Sequence, residues 1–541
     1  MDALVIAKQN LDKPAVVALG STYTYGDLLK AAGQYAIKLE EKFAGGAKQP
    51  VSDLTGPRVG VMAGPTAEYT VGMFAAWLSG GVAVPLCLSN PPIELEYNIT
   101  HSSMTAVLAS EQYLALLAPL CEKTGTTLIK IEKVASGRKR LRVEEGSSDN
   151  YTLTEDAGVG AAEVDLSKMK PEMGALIIYT SGTTGRPKGA LHTHAGLGAQ
   201  CRSLSEAWRW SSDDRIFHAL PLHHIHGIVN AWLCCVFNGA TVEFYPKFSP
   251  SALWKRGQEE PPLTIFMGVP TMYSFLISAY DKMSEPEQAA AVAGIRKLRL
   301  MISGSAACPV PIMNRWQELT GQTLLERYGM TEIGMALSNP YAPMAARRAG
   351  CVGAPLPGVE VRLVPNPDSD DEPEPAEDNG RDVVGPGEIR VRAPSVFKLY
   401  FGREEATAES FDAEGFFCTG DTGVCEGGVY RILGRTSVDI IKSGGFKLSA
   451  LEIENHLLEC AAIKECAVCG VPDDSLGEAV GLVVVYNEGL EMTDSDLRAW
   501  ARDHMALYKV PKWIKVMDAI PRNAMGKVNK KQLQKTVFGS G

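Results

Sequence analysis

Short β-branched runs alternate with helical stretches over most of the first 330 residues. The runs fall at residues 15–19, 58–62, 106–109, 175–179, 241–245, 263–268 and 298–303. Several are apolar at every position, which predicts strands buried on both faces in a parallel or mixed sheet. Between them lie patterns such as residues 68–78, which suit a buried helix. Around Gly434 the pattern changes. A strand closing on Lys442 leads into a glycine turn, and Ser449 with Glu452 forms a capping box ahead of a helix. Ala450, Ile453, Leu457 and Ala461 recur along one face of that helix. The expectation is an α/β chain with a large N-terminal domain of several subdomains at residues 1–436, followed by a smaller α+β domain at 437–541.

Residues 365–382 are acidic, rich in proline and nearly free of apolar side chains. They read as a solvated insertion between strands. The net charge of −10 over 541 residues gives no basic footprint for nucleic acid. The apolar run at 229–237 is too short to span a bilayer. The N-terminus reads as neither a secretory signal nor a transit peptide. The cytosol is therefore the expected compartment, with an organelle the alternative where a targeting segment has been removed. Small molecules are the expected partners, and the oligomeric state is not written in the sequence. Among twelve cysteines, Cys466 and Cys469 make the one C-x-x-C, but positions three apart on a strand face opposite ways. They read as free buried thiols.

The chemistry starts after the run at 175–179. Thr180, Ser181, Gly182, Thr183, Thr184 and Gly185 precede Lys188 in the string TSGTTGRPKG. Glycines let backbone N–H groups approach phosphate oxygens, hydroxyls donate further bonds and the lysine adds charge. The spacing is not that of a Walker A loop, so a kinase-like site is excluded. The string resembles the phosphate-loop signature of the acyl-adenylate-forming superfamily, which contains acyl-CoA synthetases, adenylation domains and firefly-type luciferases. The resemblance extends over nearly the whole chain, through several motifs in the family's order. It implies ATP, Mg²⁺ and coenzyme A as co-substrates, and a small C-terminal domain that swings.

The resemblance also implies roles. In ERYGMTE, Glu326, Arg327, Tyr328, Gly329, Met330 and Thr331 form the adenylate motif: Tyr328 stacks on adenine, Thr331 meets phosphate and Glu332 holds Mg²⁺. Gly304, Ser305 and Ala306 close over the adenine edge, while Asp421 and Arg435 reach the ribose. Lys527, in PRNAMGK, resembles the lysine that stabilises the charge shared by the attacking carboxylate and the α-phosphate. Ser437 stands at the hinge, and Ser443, Gly444 and Gly445 would meet the pantetheine arm. His224 matches the gate beside the acyl pocket. Three imidazoles in PLHHIHG also invite a zinc reading, but no carboxylate or cysteine sits at ligand spacing nearby. His192 and His194 read as structural.

For the acid itself, the run YGMTEIGMALSNP, Arg348 in RRAG and IKSGGFKLSALEIE are similar to the malonyl-CoA synthetase subgroup. That similarity implies that Arg299 and Arg348 bind a second carboxylate, whose unpaired burial would be costly. Malonate is the expected substrate and methylmalonate a second. Another carboxylate, a luciferase-like oxygenation or loading of a carrier protein are the competing readings.

Overall fold

The computed structural model describes residues 2–44, 56–135, 138–139, 164–180, 186–365, 383–444, 446–522 and 528–539. Two large sheets carry the N-terminal part. In the first, strands Pro14–Ala18, Thr241–Phe244, Arg215–His218, Ile265–Gly268, Leu300–Ser303 and Leu325–Met330 lie side by side and parallel. In the second, Thr127–Ile131, Ala106–Ser110, Arg58–Met62 and Val82–Pro85 are parallel, and Gly174–Thr180 turns back antiparallel into Lys188–Thr193. All five residues of Arg58–Met62 and the first five of Gly174–Thr180 are buried. The apolar runs at 59–62 and 175–178 within them follow from cover on both faces.

Alternation along the central strands divides two cores. Leu300, Ile302 and Leu325 face the largest cluster, which includes Leu197, Trp208, Ile228 and Trp232 from the helices covering that side. Met301 faces the other cluster, with Phe266, Tyr273, Cys308 and Trp316. A third, antiparallel sheet joins Glu360–Val364, Val383–Arg392, Phe417–Glu426 and Val429–Arg435.

The last sheet joins Phe446–Ser449, Ile440–Ser443, Gly477–Tyr486, Ile463–Asp473 and Trp513–Val516. Its core, with Ile441, Ile453, Leu457, Val468 and Leu482, draws only on residues after the Gly434 break. A large α/β unit with a small C-terminal α+β unit is thus the architecture. Ser449 caps the helix Ala450–Leu457 by accepting the Glu452 N–H. Cys466 and Cys469 lie on the strand Ile463–Asp473 as free thiols. Among the described residues, no helix is long and apolar enough to cross a membrane. The acidic stretch lies outside the described residues from 366 to 382.

Candidate active site

Parallel sheets bind ligands beyond the carboxyl ends of their strands, and most of the chemistry-bearing residues gather there. Tyr328, near the end of Leu325–Met330, donates its hydroxyl hydrogen to Asp421 Oδ2 at 2.6 Å. Arg435 Nε donates to Asp421 Oδ1 at 3.1 Å, across the ladder that pairs the two residues. Burial would lower the Arg435 pKa, but Asp421, Tyr328 and Glu332 outweigh it and hold it above the ordinary value. Glu332, itself buried, accepts the Tyr400 hydroxyl hydrogen at Oε1, 2.8 Å away. Lys188 Nζ stands 4.6 Å from the centre of the same tyrosine ring. The adenylate motif, the ribose pair and the phosphate-loop lysine therefore form one charged neighbourhood.

Tyr400 was invisible to motif reading. Its position on Leu399–Tyr400, paired with Lys188–Thr193, brings it to both groups. Thr180 ends the strand before the phosphate loop, and its Oγ1 donates to the Lys188 carbonyl at 3.4 Å. Ser181, Gly182, Thr183, Thr184 and Gly185 lie outside the described residues, as do Gly445 and Lys527. Ser443 is buried, and Gly444 turns with φ +55°. Ser437 is exposed in the turn between Val429–Arg435 and Ile440–Ser443.

Ser305 adopts φ +70°, a strained value for a residue other than glycine, and its hydroxyl lies 3.0 Å from His226 Nδ1. Ala306 beside it is exposed. A Cβ on Gly304 would stand 2.4 Å from Arg327 Cζ, so only glycine lets that guanidinium lie across the strand end. The His223 and His224 rings are 4.0 Å apart, and burial lowers the His223 pKa to about 4. His192 at about 4 and His194 at about 3 are likewise held neutral by burial.

Three of the expected site residues have other partners in the structure. Arg299 is the first of them. It precedes Leu300–Ser303, at the far end of the strand from Gly304 and roughly 16 Å of extended backbone away. Its guanidinium is committed to both oxygens of buried Asp214, at 2.8 and 2.6 Å, and to the Trp208 carbonyl. Arg348 is exposed, with its N–H on Asn339 Oδ1. The buried member of that pair is Arg347, which donates to the carbonyls of Pro340, Tyr341 and Thr323. Glu326 turns its carboxyl to the opposite sheet face, where it accepts the Cys308 N–H at 2.8 Å and burial raises its pKa to about 7. Its side chain braces the loop after Leu300–Ser303.

A neighbouring arginine, Arg327, is placed differently. It is 4% exposed, and its Nε and Nη2 have no hydrogen-bond partner among the described residues. Burial pulls its pKa down to about 10, against a partial offset from Glu326. It therefore remains a cation at neutral pH, buried on the sheet face that Ile228 and Trp232 cover.

Fold and site together define a protein that holds a nucleotide triphosphate against a carboxylic acid, and sequence comparison agrees. Residues 5–401 match the AMP-binding enzyme family and residues 452–527 its C-terminal domain. The chain belongs to this acyl-adenylate-forming superfamily, as an ATP-dependent, AMP-forming acid–CoA ligase. It is 45% identical to a probable CoA ligase of Humulus lupulus over 89% of this chain and 80% of that protein. It is 40% identical to a malonate–CoA ligase of Arabidopsis thaliana over 98% and 87%. Among solved structures, ATP-bound MatB of Rhodopseudomonas palustris superposes with a TM-score of 0.82 at 32% identity, covering 100% of both chains. A malonyl-CoA ligase bound to methylmalonyl-CoA and AMP gives 0.62 at 34% identity, covering 95% of this chain and 97% of that one.

Proposed function

We propose that the chain is a malonate–CoA ligase that forms malonyl-adenylate with release of pyrophosphate, then malonyl-CoA with release of AMP. The observation that carries this reading is Arg327, buried beside Gly304 and one residue from Tyr328, whose Nε and Nη2 have no hydrogen-bond partner among the described residues. Unfilled donors on a buried cation cost stability, and a second carboxylate on the substrate would fill them. Acetate or a fatty acid would leave them unfilled, and sites built for a polar group reject analogues that lack one. Methylmalonate is a second substrate on this reading, since a single methyl is worth only about 1–3 kcal/mol in a pocket.

Tyr328, Asp421 and Arg435 support the nucleoside, and Lys188 with Thr180 the phosphates. Glu332 fits Mg²⁺: Tyr400 engages Oε1, and magnesium ordinarily takes one or two carboxylates together with substrate phosphates and water. Bound there, the ion would neutralise charge on the triphosphate. Lys527 is assigned the cation that bridges attacking carboxylate and α-phosphate, and His224 the gate of the acyl pocket. A boundary at 436/437 with Ser437 as hinge lets one small domain serve both half-reactions, with Ser443, Gly444 and Gly445 turned to the pantetheine arm in the second.

The test is CoA-dependent AMP release from acetate, malonate, methylmalonate and succinate, with Arg327→Ala alongside. Malonate is expected to be preferred. The variant should lose roughly 10²-fold or more in kcat/KM for malonate and far less for acetate. Wild-type preference for acetate over malonate would overturn the assignment.

A further inference from the structure

We infer that Asn230 is a specificity-determining residue of the acyl pocket, whose amide reads the acid's second carboxylate beside Arg327. The inference rests on the malonate reading above and adds to it a residue that no motif singles out.

Asn230 is 0% exposed, and neither its Oδ1 nor its Nδ2 has a hydrogen-bond partner among the described residues. Buried amides are ordinarily satisfied, and each orphaned group costs stability. Asn230 and Arg327 are the two described side chains with more than one orphaned buried polar atom. They lie on the same side of the same sheet. Leu325, two residues before Arg327 and so on its face, packs in the cluster that contains Ile228, Val229 and Trp232 of the helix carrying Asn230.

That helix, His226–Leu233, is wound as a π-helix, a conformation found mostly where function requires it. His226 and Asn230 are one turn apart, and His226 reaches Ser305, which follows the glycine crossed by the Arg327 guanidinium. Trp232, two residues on and so across the helix, packs against Tyr69 at 5.4 Å and Trp77 at 5.9 Å. Asn230 is thereby turned from the aromatic core toward the strand ends. An amide there can donate Nδ2–H to a carboxylate oxygen, sharing that group with the Arg327 fork. Neutral Nδ2 adds a directional donor without a second buried charge.

The experiment compares wild type, Asn230→Leu and Asn230→Asp, reading kcat and KM for malonate and acetate together with thermal unfolding. Leucine keeps the branching at Cγ, with somewhat more volume, and removes the orphaned atoms; aspartate keeps the shape and repels a carboxylate. The malonate-to-acetate ratio of kcat/KM is expected to fall roughly 10–100-fold in Asn230→Leu and further in Asn230→Asp. The leucine variant should unfold no earlier than wild type. An unchanged ratio, or a parallel loss on both acids with early unfolding, would overturn the role of Asn230 while a malonate-preferring wild type left the substrate reading intact. A wild type that prefers acetate would instead overturn the substrate reading, and this inference with it.

Discussion

Glu332 and Lys188, the residues proposed to serve Mg²⁺ and phosphate, carry opposite charges, and one side chain touches both. Tyr400 gives its hydroxyl to Glu332 and its ring to Lys188, and it is itself 6% exposed. Its pKa is raised by burial and then by Glu332, so it stays a neutral donor. Tyr400→Phe keeps the ring and removes only the hydrogen bond to the carboxylate. Bonds to charged groups are worth about 1.5–3 kcal/mol. Adenylation should slow roughly 10- to 100-fold, with a weaker apparent affinity for Mg²⁺; calorimetric titration of ATP with and without Mg²⁺ checks the second point independently of turnover. Equal ATP affinity for variant and wild type in both conditions would remove Tyr400 from the ion's surroundings. At this scale the sequence was readable where a motif supplied order, as for Tyr328 and Asp421. Strand direction separates the arginines: Arg299 precedes its strand, whereas Arg327 follows Glu326, where the parallel pairing of its strand ends, and parallel sheets bind ligands beyond the carboxyl ends. That rule, applied to the expected strand at 298–303, was the available signal for telling them apart.

The elements themselves were largely legible, because strands buried on both faces are apolar at most positions. The expected strand at 58–62 is Arg58–Met62, and that at 241–245 is Thr241–Phe244. The third sheet was not anticipated: its strands are amphipathic, as in the half-buried Phe417–Glu426. The π-helix was hidden too, since an apolar run does not disclose its winding. Past the break, a single lysine ties the small unit together. Lys530 Nζ lies 2.7 Å from Asp439 Oδ1 and 2.7 Å from Glu454 Oε1, with 9% of its side chain exposed. Asp439 Oδ2 also accepts the Arg435 N–H, so the helix Lys530–Val537 is bound to the turn that leads out of the ribose strand. Lys530→Met leaves two largely covered carboxylates facing each other, a loss of up to roughly 3–5 kcal/mol by the usual cost of breaking a buried pair. Limited proteolysis should then cut the C-terminal unit before the rest. Equal resistance in the variant would mean that the pairs contribute little.

Across the whole molecule, the two large sheets share a dependence on neutral imidazoles. His192 and His218 are both held at about 4 by burial, and His194 at about 3. His218 sits 2.8 Å from the Gly227 carbonyl through Nε2. A carbonyl only accepts, so Nε2 carries the hydrogen and His218 pins the first turn of the π-helix. Unfolded histidine titrates near 6.5. Between that value and about 4 the unfolded chain binds protons that the folded one refuses, so stability present above pH 6.5 is lost as the pH falls. The loss is on the order of 2 kcal/mol per histidine by pH 5. The urea midpoint should therefore drop clearly from pH 7 to pH 5, and His218→Gln should make that drop shallower by its own share. A midpoint independent of pH over this interval would mean that these imidazoles ionise inside the fold. The π-helix would then have to tolerate a cation behind the pocket that Arg327 already charges.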